Sequence, residues 1–429
     1  MKTLTLIEHN FIFTSTTNSV LKAQSVDSNI IVPKDVFDEL KMFILKNSQD
    51  GKESICDFLI PSYKKGFGEV LKAKNYVGVI QTKTGITIEI LPKIYGIVTN
   101  DNPIEEIVAT KKIFLKMLKP FKRSNFRVSN FADLDLSVMS LLDIFVKMFL
   151  EELDILVKQG LRKSYIPKAE NTYTLKGKLD FNKNIKFNVI HKERFFVNYD
   201  EHDVNRPENL LIKSTLLLLL RKTKNNPTQQ KVRKFLFIFD QVDSSKNIEH
   251  DFSRCKSNRL TKNYSRLLIW CRIFLSNKTF SSYKGSELAF ALLFPMERIF
   301  EDYVAHLLRK SYAITTQKMI GHLLQKPSKQ YKMKPDIIFI DHEVIADTKW
   351  KIIDSNHRVS QSDLYQMFAY GTHPNRLINN TKKIILIYPY NVDFTKKKCF
   401  YLTDGLQIII YPLDLVNHNN ISDILVDES

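Results

Sequence analysis

The order of apolar and polar residues predicts alternating strands and helices over most of the chain. NIIVPKDVFDELKMFILKN (Asn29–Asn47) opens as a strand and turns helical after Pro33, with Val36, Leu40, Phe43 and Ile44 on one helical face. YVGVIQTKTGITIEILPKI (Tyr76–Ile94) reads as a hairpin, with Val77, Val79, Ile86, Ile88 and Ile90 as apolar members and Thr84-Gly85 as the turn. Asn100–Pro103 reads as a loop or domain boundary. Helical periodicity takes over from Glu105 and is longest across Leu134–Leu161, with Gly160 as the stop. Asn171–Phe181 returns to strand character. Phe195–Thr223 predicts a strand, a loop and a helix from Pro207, and Gln230–Asn277 is again helical. Glu287–Ala313 predicts a helix bent at Pro295. Strands follow at Asp336–Ile340 and Val344–Thr348, then a helix over Ser360–Gly371, capped by Ser360 or Ser362 and stopped by Gly371. A buried strand at Lys382–Pro389 and a hairpin over Cys399–Leu415, turning at Asp404-Gly405, complete an α/β chain built on a mixed sheet.

A length of 429 residues exceeds what one hydrophobic core usually spans, and 44% hydrophobic with 26% charged residues is ordinary for a globular protein. The net charge of +18 changes the picture, because it makes a polyanion the expected partner. A generally lysine-rich composition is the plainer explanation. The basic runs Lys222–Lys234 and Arg254–Arg266 have two readings, phosphate tracking or a solvated helix face. Cys56, Cys255, Cys271 and Cys399 stand far apart with no CxxC pair, which suits a reducing compartment. The first apolar run stops at Glu8, and the most apolar run, Leu210–Leu220, is too short to span a bilayer and contains Lys213. A cytoplasmic protein with no membrane contact is expected.

The candidate chemistry lies in MKPDIIFIDHEVIADTKWK (Met333–Lys351), which reads as two apolar strands that each carry an acid, Asp336 and Asp347. Burying ionised carboxylates without a partner is expensive, and two side by side repel unless a cation joins them. A hard divalent cation, Mg²⁺ or alternatively Mn²⁺, takes such oxygens and keeps several waters. Lys349 shares a strand face with Asp347 by the period of two and is placed to assist an attacking water or a developing phosphorane charge. Upstream, Glu297 and Glu301 are spaced i, i+4 on a helix; Glu301 is preferred as a third metal-shell acid, a surface salt bridge being the alternative. Asp363, Gln366 and Tyr370 share one helical face, as either site residues or core caps. His306, His322, His342 and His357 read as surface or structural. The candidate catalytic set is therefore Asp336, Asp347, Lys349, Glu301 and Gln366, with Asp336, Asp347 and Glu301 as metal ligands.

Pro335-Asp336 followed by Asp347-Thr348-Lys349 resembles the PD-(D/E)xK nuclease signature, and Gln366 with Tyr370 resembles the QxxxY helix of one branch of that superfamily. Several segments in order resemble the McrC family, the nuclease subunit of modification-dependent McrBC restriction systems. They are Gly78–Ile94, Gly160–Ile166, Thr174–Phe181, Tyr199–Leu216, Phe294–Val304, the two acid-bearing strands, and Ser362–Gly371. The resemblance implies a partner-engaging N-terminal mixed α+β domain (1–130), a helix-rich middle (131–285) and a C-terminal restriction-endonuclease-like core (286–429), a mixed sheet flanked by helices. It implies an Mg²⁺-dependent DNA endonuclease subunit that works with, and stimulates, an McrB-like AAA+ GTPase hexamer on double-stranded, 5-methylcytosine-type modified DNA. Two nuclease subunits would pair to cut both strands. No nucleotide loop of its own is expected: Gly51-Lys52 and Gly177-Lys178 lack the upstream glycine, with Lys46 and Thr172 there, and are followed by Glu53 and Leu179. A non-catalytic basic adaptor and a freestanding nucleic-acid-binding protein are the competing readings. Metal dependence separates them from the nuclease.

Overall fold

The computed structural model describes residues 3–14, 24–26, 29–47, 58–94, 103–120, 139–255, 263–275, 289–324, 328–342, 344–353, 359–372, 383–402, 405–416 and 421–425. The chain forms two compact units, one made of 1–142 with 278–429 and the other of 143–277. The elements in chain order begin with β1 (Thr3–Ile7), β2 (Phe11–Thr14), β3 (Gln24–Val26), β4 (Asn29–Val32), α1 (Lys34–Asn47), β5 (Leu59–Lys64), β6 (Gly68–Ala73), β7 (Tyr76–Thr82), β8 (Thr87–Leu91) and α2 (Pro103–Leu118). Next come α3 (Leu141–Gln159), β9 (Ser164–Thr172), β10 (Lys178–Leu179), α4 (Phe181–Asn188), β11 (Phe195–Asp203), α5 (Pro207–Lys222), α6 (Asn226–Ile238), α7 (Ile248–Arg254) and α8 (Ser265–Leu275). The last run is β12 (Ala289–Pro295), α9 (Met296–Leu308), β13 (Ile314–Thr316), β14 (Gly321–Leu324), β15 (Gln330–Met333), β16 (Ile337–Phe339), β17 (Val344–Thr348), α10 (Gln361–Gly371), β18 (Lys383–Pro389), β19 (Lys398–Tyr401) and β20 (Gln407–Leu413). The chain is a mixed α/β protein, as its alternating periodicities predict. Among the described residues no helix is long and apolar enough to cross a membrane.

Among the described residues the first unit holds four sheets, ordered β3-β4-β2-β6-β5, β1-β8-β7-β12, β13-β16-β17-β18-β20-β19 and β14-β15. In the six-stranded sheet β17, β18 and β20 run parallel, while β13, β16 and β19 are antiparallel to their neighbours. The parallel strands VIADT, KIILIYP and QIIIYPL are buried almost throughout, as near-continuous apolar runs in a parallel sheet usually are, and α9 and α10 pack against β17 and β18. The apolar stripe of α1 packs Val36, Leu40, Phe43 and Ile44 into a core shared with Leu6, Ile12, Leu71, Ile80 and Ile88. In the second unit α5 carries buried Leu211, Ile212, Leu216 and Leu219, beside Phe235, Trp270 and Phe274 of neighbouring helices. Its small sheet, β10-β11-β9, is largely exposed.

Three sequence expectations change. Glu287–Ala313 is not a bent helix: AFALLFP is strand β12, and α9 begins after Pro295, whose extended backbone caps it. A short continuous apolar run does not distinguish a buried strand from a helix, and pairing with β7 decides it. That pairing also joins 278–429 to 1–142 in one compact unit. Gly371 is the last residue of α10 and Thr372 is the cap; a Cβ on Gly371 would stand 2.3 Å from Leu406 Cδ2, so a larger residue requires that leucine side chain to shift. Strand character over Asn171–Phe181 resolves into the end of β9, the short β10 and the first residue of α4. Gly160 does follow the last residue of α3, at φ +87°. Ser360 precedes α10 without a side-chain capping bond. Asn100–Asn102, Asp404, Cys56, His357, the start of Leu134–Leu161 and the centre of Arg254–Arg266 lie outside the described residues.

Candidate active site

The hairpin β16–β17 brings the two acids together. Its register pairs Ile337 with Ala346, so Asp336 and Asp347 occupy the next step of the ladder. Asp336 is gripped from two sides. Its Oδ2 accepts from Thr348 N at 2.8 Å and Thr348 Oγ1 at 2.7 Å, and its Oδ1 accepts from Gln317 Nε2 at 2.9 Å. The same Gln317 amide donates to Glu301 Oε1 at 2.6 Å, which ties the α9 acid to the hairpin. Gln317 sits in the left-handed region at φ +56° and donates its backbone N–H to Asp336 O at 3.0 Å. Glu297, the alternative acid, instead accepts from Asn75 Nδ2 at 2.8 Å.

Asp347 is 2% exposed, and the Lys349 ammonium stands 2.5 Å from its Oδ2. That contact is an ion pair without hydrogen-bond alignment, so the buried Oδ2 has no aligned donor. Burial, and then the neighbouring Asp336 charge, push the Asp347 carboxyl well above its ordinary range. Burial opposes the charge on Lys349, but the Asp347 contact together with the Asp363 and Asp336 charges outweighs it, and the lysine's pKa is raised. Lys349 Nζ also donates to Gln366 Oε1 at 2.8 Å, and Gln366 Nε2 donates to Tyr370 Oη at 2.8 Å. Tyr370, pushed up to about 12 chiefly by burial, donates to Lys334 O at 3.4 Å. The face of α10 that the sequence singles out is thus divided. Gln366 and Tyr370 reach the hairpin, whereas Asp363 accepts from Lys351 Nζ at 2.8 Å on both oxygens and from Tyr388 Oη at 3.0 Å. Asp363 anchors the helix.

The five residues of the candidate set therefore converge: Asp336, Asp347 and Lys349 on the hairpin, Glu301 through Gln317, and Gln366 through Lys349. Two adjacent carboxylates and a buried oxygen without an aligned donor are what a hard divalent cation fits, since Mg²⁺ needs only one or two carboxylates and retains water. Among the described residues no three acids, histidines or cysteines already form a cage, because Gln317 stands between Glu301 and Asp336.

Sequence reasoning misses Gln317, Thr348 and a second polar cluster just beyond Lys349. Trp350 Nε1 donates to Glu8 Oε2 at 3.0 Å, Lys93 N donates to the same oxygen at 2.9 Å, and Lys93 Nζ donates to Trp350 O at 2.5 Å. The buried Trp350 ring also packs on Phe300 at 5.3 Å. Thr348 was visible inside Asp-Thr-Lys; Gln317, Glu8 and Lys93 carry no local signal.

Burial raises the Glu8 carboxyl to about 7, the Lys93 charge and the Lys93 and Trp350 hydrogen bonds opposing it. Between an unfolded value of 4.5 and a folded value of about 7, the folded state holds a proton that the unfolded state has lost. Stability therefore falls as pH rises through that window, by about 3 kcal/mol at most. An amide oxygen at the Oε2 position would still accept from both Trp350 and Lys93. Glu8→Gln should flatten that fall, and the difference between the two proteins isolates Glu8 from His9, whose pKa burial lowers. Denaturant melts of both proteins from pH 5 to 8 read this; parallel curves would refute it.

The fold defines a class of mixed α/β protein, in which one hairpin of a six-stranded mixed sheet presents two acids and a lysine. The McrBC 5-methylcytosine restriction system component family matches residues 71–389, and the chain belongs to that family. A chain of the refined half-complex from the tetradecameric assembly of Thermococcus gammatolerans McrB AAA+ hexamers with bound McrC is similar in fold, at TM-score 0.72 and 18% identity, over 97% of this chain and 96% of that one. A chain of the cryo-EM structure of the T. gammatolerans McrBC complex is similar at TM-score 0.53 and 18% identity, over 72% of this chain and 88% of that one. No curated protein matches.

Proposed function

We propose that this chain is the Mg²⁺-dependent DNA endonuclease subunit of a modification-dependent, 5-methylcytosine-type restriction system. The observation that carries the reading is the hairpin that sets Asp336 beside Asp347 and places Lys349 2.5 Å from Asp347 Oδ2. Its partner would be an McrB-like AAA+ GTPase ring, by analogy with the similar assembly, in which McrC is bound to McrB AAA+ hexamers. Two nuclease subunits would act on the two strands.

Asp336 and Asp347 would hold the cation, with Glu301 reaching it once Gln317 gives way or through water. Bound Mg²⁺ would supply charge to the scissile phosphate and lower the pKa of a water. Thr348 fixes the Asp336 carboxylate, so that oxygen position is set before substrate arrives. Lys349, kept protonated by Asp347, is placed to hold the attacking water or stabilise negative charge at phosphorus. Gln366 holds the ammonium in place, and Tyr370 holds Gln366.

The test is cleavage of a cytosine-methylated plasmid by the full chain with its neighbouring AAA+ protein and GTP, in Mg²⁺ and in EDTA. Cutting is expected only with the metal. Stimulation of the partner's GTP hydrolysis without cutting, in Mg²⁺ or Mn²⁺, would replace the nuclease with the adaptor reading.

A further inference from the structure

From Tyr303 to Pro335 the chain contains no Asp or Glu, while lysines recur to the edge of the carboxylate hairpin. The middle of this stretch is the two-stranded ribbon β14–β15, with Gly321 opposite Met333, His322 opposite Lys332 and Leu324 opposite Gln330. Its root is tied to the candidate site. Ile320 N donates to Met333 O at 2.9 Å, and just below it Gln317 N donates to Asp336 O at 3.0 Å. Ile320 and Met333 are buried in the core of the six-stranded sheet. Beyond them the ribbon is exposed. Lys318, Lys329, Lys332 and Lys334 face solvent and make no ion pair among the described residues. Tyr331 is 69% exposed and held at φ +55°, a conformation that bulky side chains rarely adopt and that places an aromatic ring outside the regular ladder.

We propose that this ribbon is the arm by which the chain grips double-stranded DNA beside Asp336 and Asp347, a proposal that rests on the nuclease reading. A ribbon whose own residues include no acid and which exposes several lysines complements phosphate oxygens. A two-stranded ribbon fits the width of the major groove. Because both ends of the ribbon join the site through Gln317 and Asp336, DNA held along it is delivered to the carboxylates. Tyr331 adds a ring for sugar or base contact.

The experiment measures binding of the full chain to a short fluorescent duplex in EDTA, where no cutting occurs, over a salt series. In Lys329→Gln/Lys332→Gln the slope of log Kd against log salt should fall by about 1.8, since each lost phosphate contact removes about 0.9. Affinity near physiological salt should weaken about tenfold or more. The melting temperature and stimulation of the AAA+ partner should stay as in wild type, and Lys329→Arg/Lys332→Arg should restore the slope. An unchanged slope overturns the proposal, as does a wild-type chain with no salt-dependent affinity for the duplex. Intact DNA binding with lost association to the ring would give the ribbon to the protein partner instead. Asp347→Asn, measured in parallel, should bind with the wild-type slope. Its failure to cut reports on the nuclease reading alone, and lost binding in the lysine variant reports on the arm alone.

Discussion

Asp347→Asn should lower DNA cleavage by about a thousandfold or more, because cation-assisted charge stabilisation supplies several kcal/mol of the barrier reduction in such sites. The substitution keeps the shape of a side chain that is only 2% exposed within the fully buried strand β17, so packing should survive. Asp336 keeps its bonds from Thr348 and Gln317, and Lys349 keeps Gln366. What is lost is one of two adjacent carboxylate charges. Two further readouts separate a site defect from a folding defect. Stimulation of the partner's GTP hydrolysis should persist. Mn²⁺ should raise the melting temperature of the wild type by binding its folded state, with about 2.7 kcal/mol available at a hundred times Kd, and should leave the variant unmoved. Cleavage at the wild-type rate would remove the hairpin from the mechanism.

Gly78→Ala should be among the most damaging single changes in the protein. Gly78 lies at φ +149° in the central strand β7, opposite Ile90 of β8 and Leu293 of β12. A Cβ there would stand 2.0 Å from the Leu292 carbonyl oxygen. The obstacle is backbone in a paired strand, so relief requires the β7–β12 ladder to open. A loss of about 4 kcal/mol or more is expected, in the exceptional range for one substitution. The consequence reaches the candidate site, since β12 leads through Pro295 directly into α9, which carries Glu301. Gly405→Ala is the control: φ is +83°, but nothing lies within 4 Å of the added Cβ, so the cost should be about 1–2 kcal/mol from backbone conformation alone. Denaturant titration of both variants decides it. Equal, small losses would mean the sheet accommodates the Cβ.

Nothing in the residues around Gly78 announces the Leu292 carbonyl, which arrives from a strand paired across the sheet. The amphipathic stripe of α1, the end of α3 at Gly160, and the strands β16, β17 and β18 were legible because each is written in adjacent residues: a period, a stop residue or an uninterrupted apolar run. The candidate acids and lysine were legible for a related reason. Asp336, Asp347 and Lys349 sit on one hairpin, where register is a local property and a carboxylate in an apolar strand is conspicuous. Gln366 and Tyr370 were legible as a helical pair, but the same spacing included Asp363, and only packing turned that acid toward Lys351 and Tyr388.

Ala289–Pro295 reads as helix from the sequence, and it is a strand because β7 supplies its hydrogen bonds from some two hundred residues away in the chain. That same ladder joins the two ends of the chain in one unit. Glu301 was separable from Glu297 only once Gln317 bridged it to Asp336 and Asn75 took its neighbour. Trp350 was an ordinary core residue until Glu8 and Lys93 closed on it. The sequence by itself determined the elements and the chemistry carried on one hairpin, because neighbouring residues specify periodicity, turns and charge. The tertiary structure alone decided which distant side chains brace that chemistry, because such contacts follow from how sheets pair and helices pack, and neither leaves a local trace in the chain.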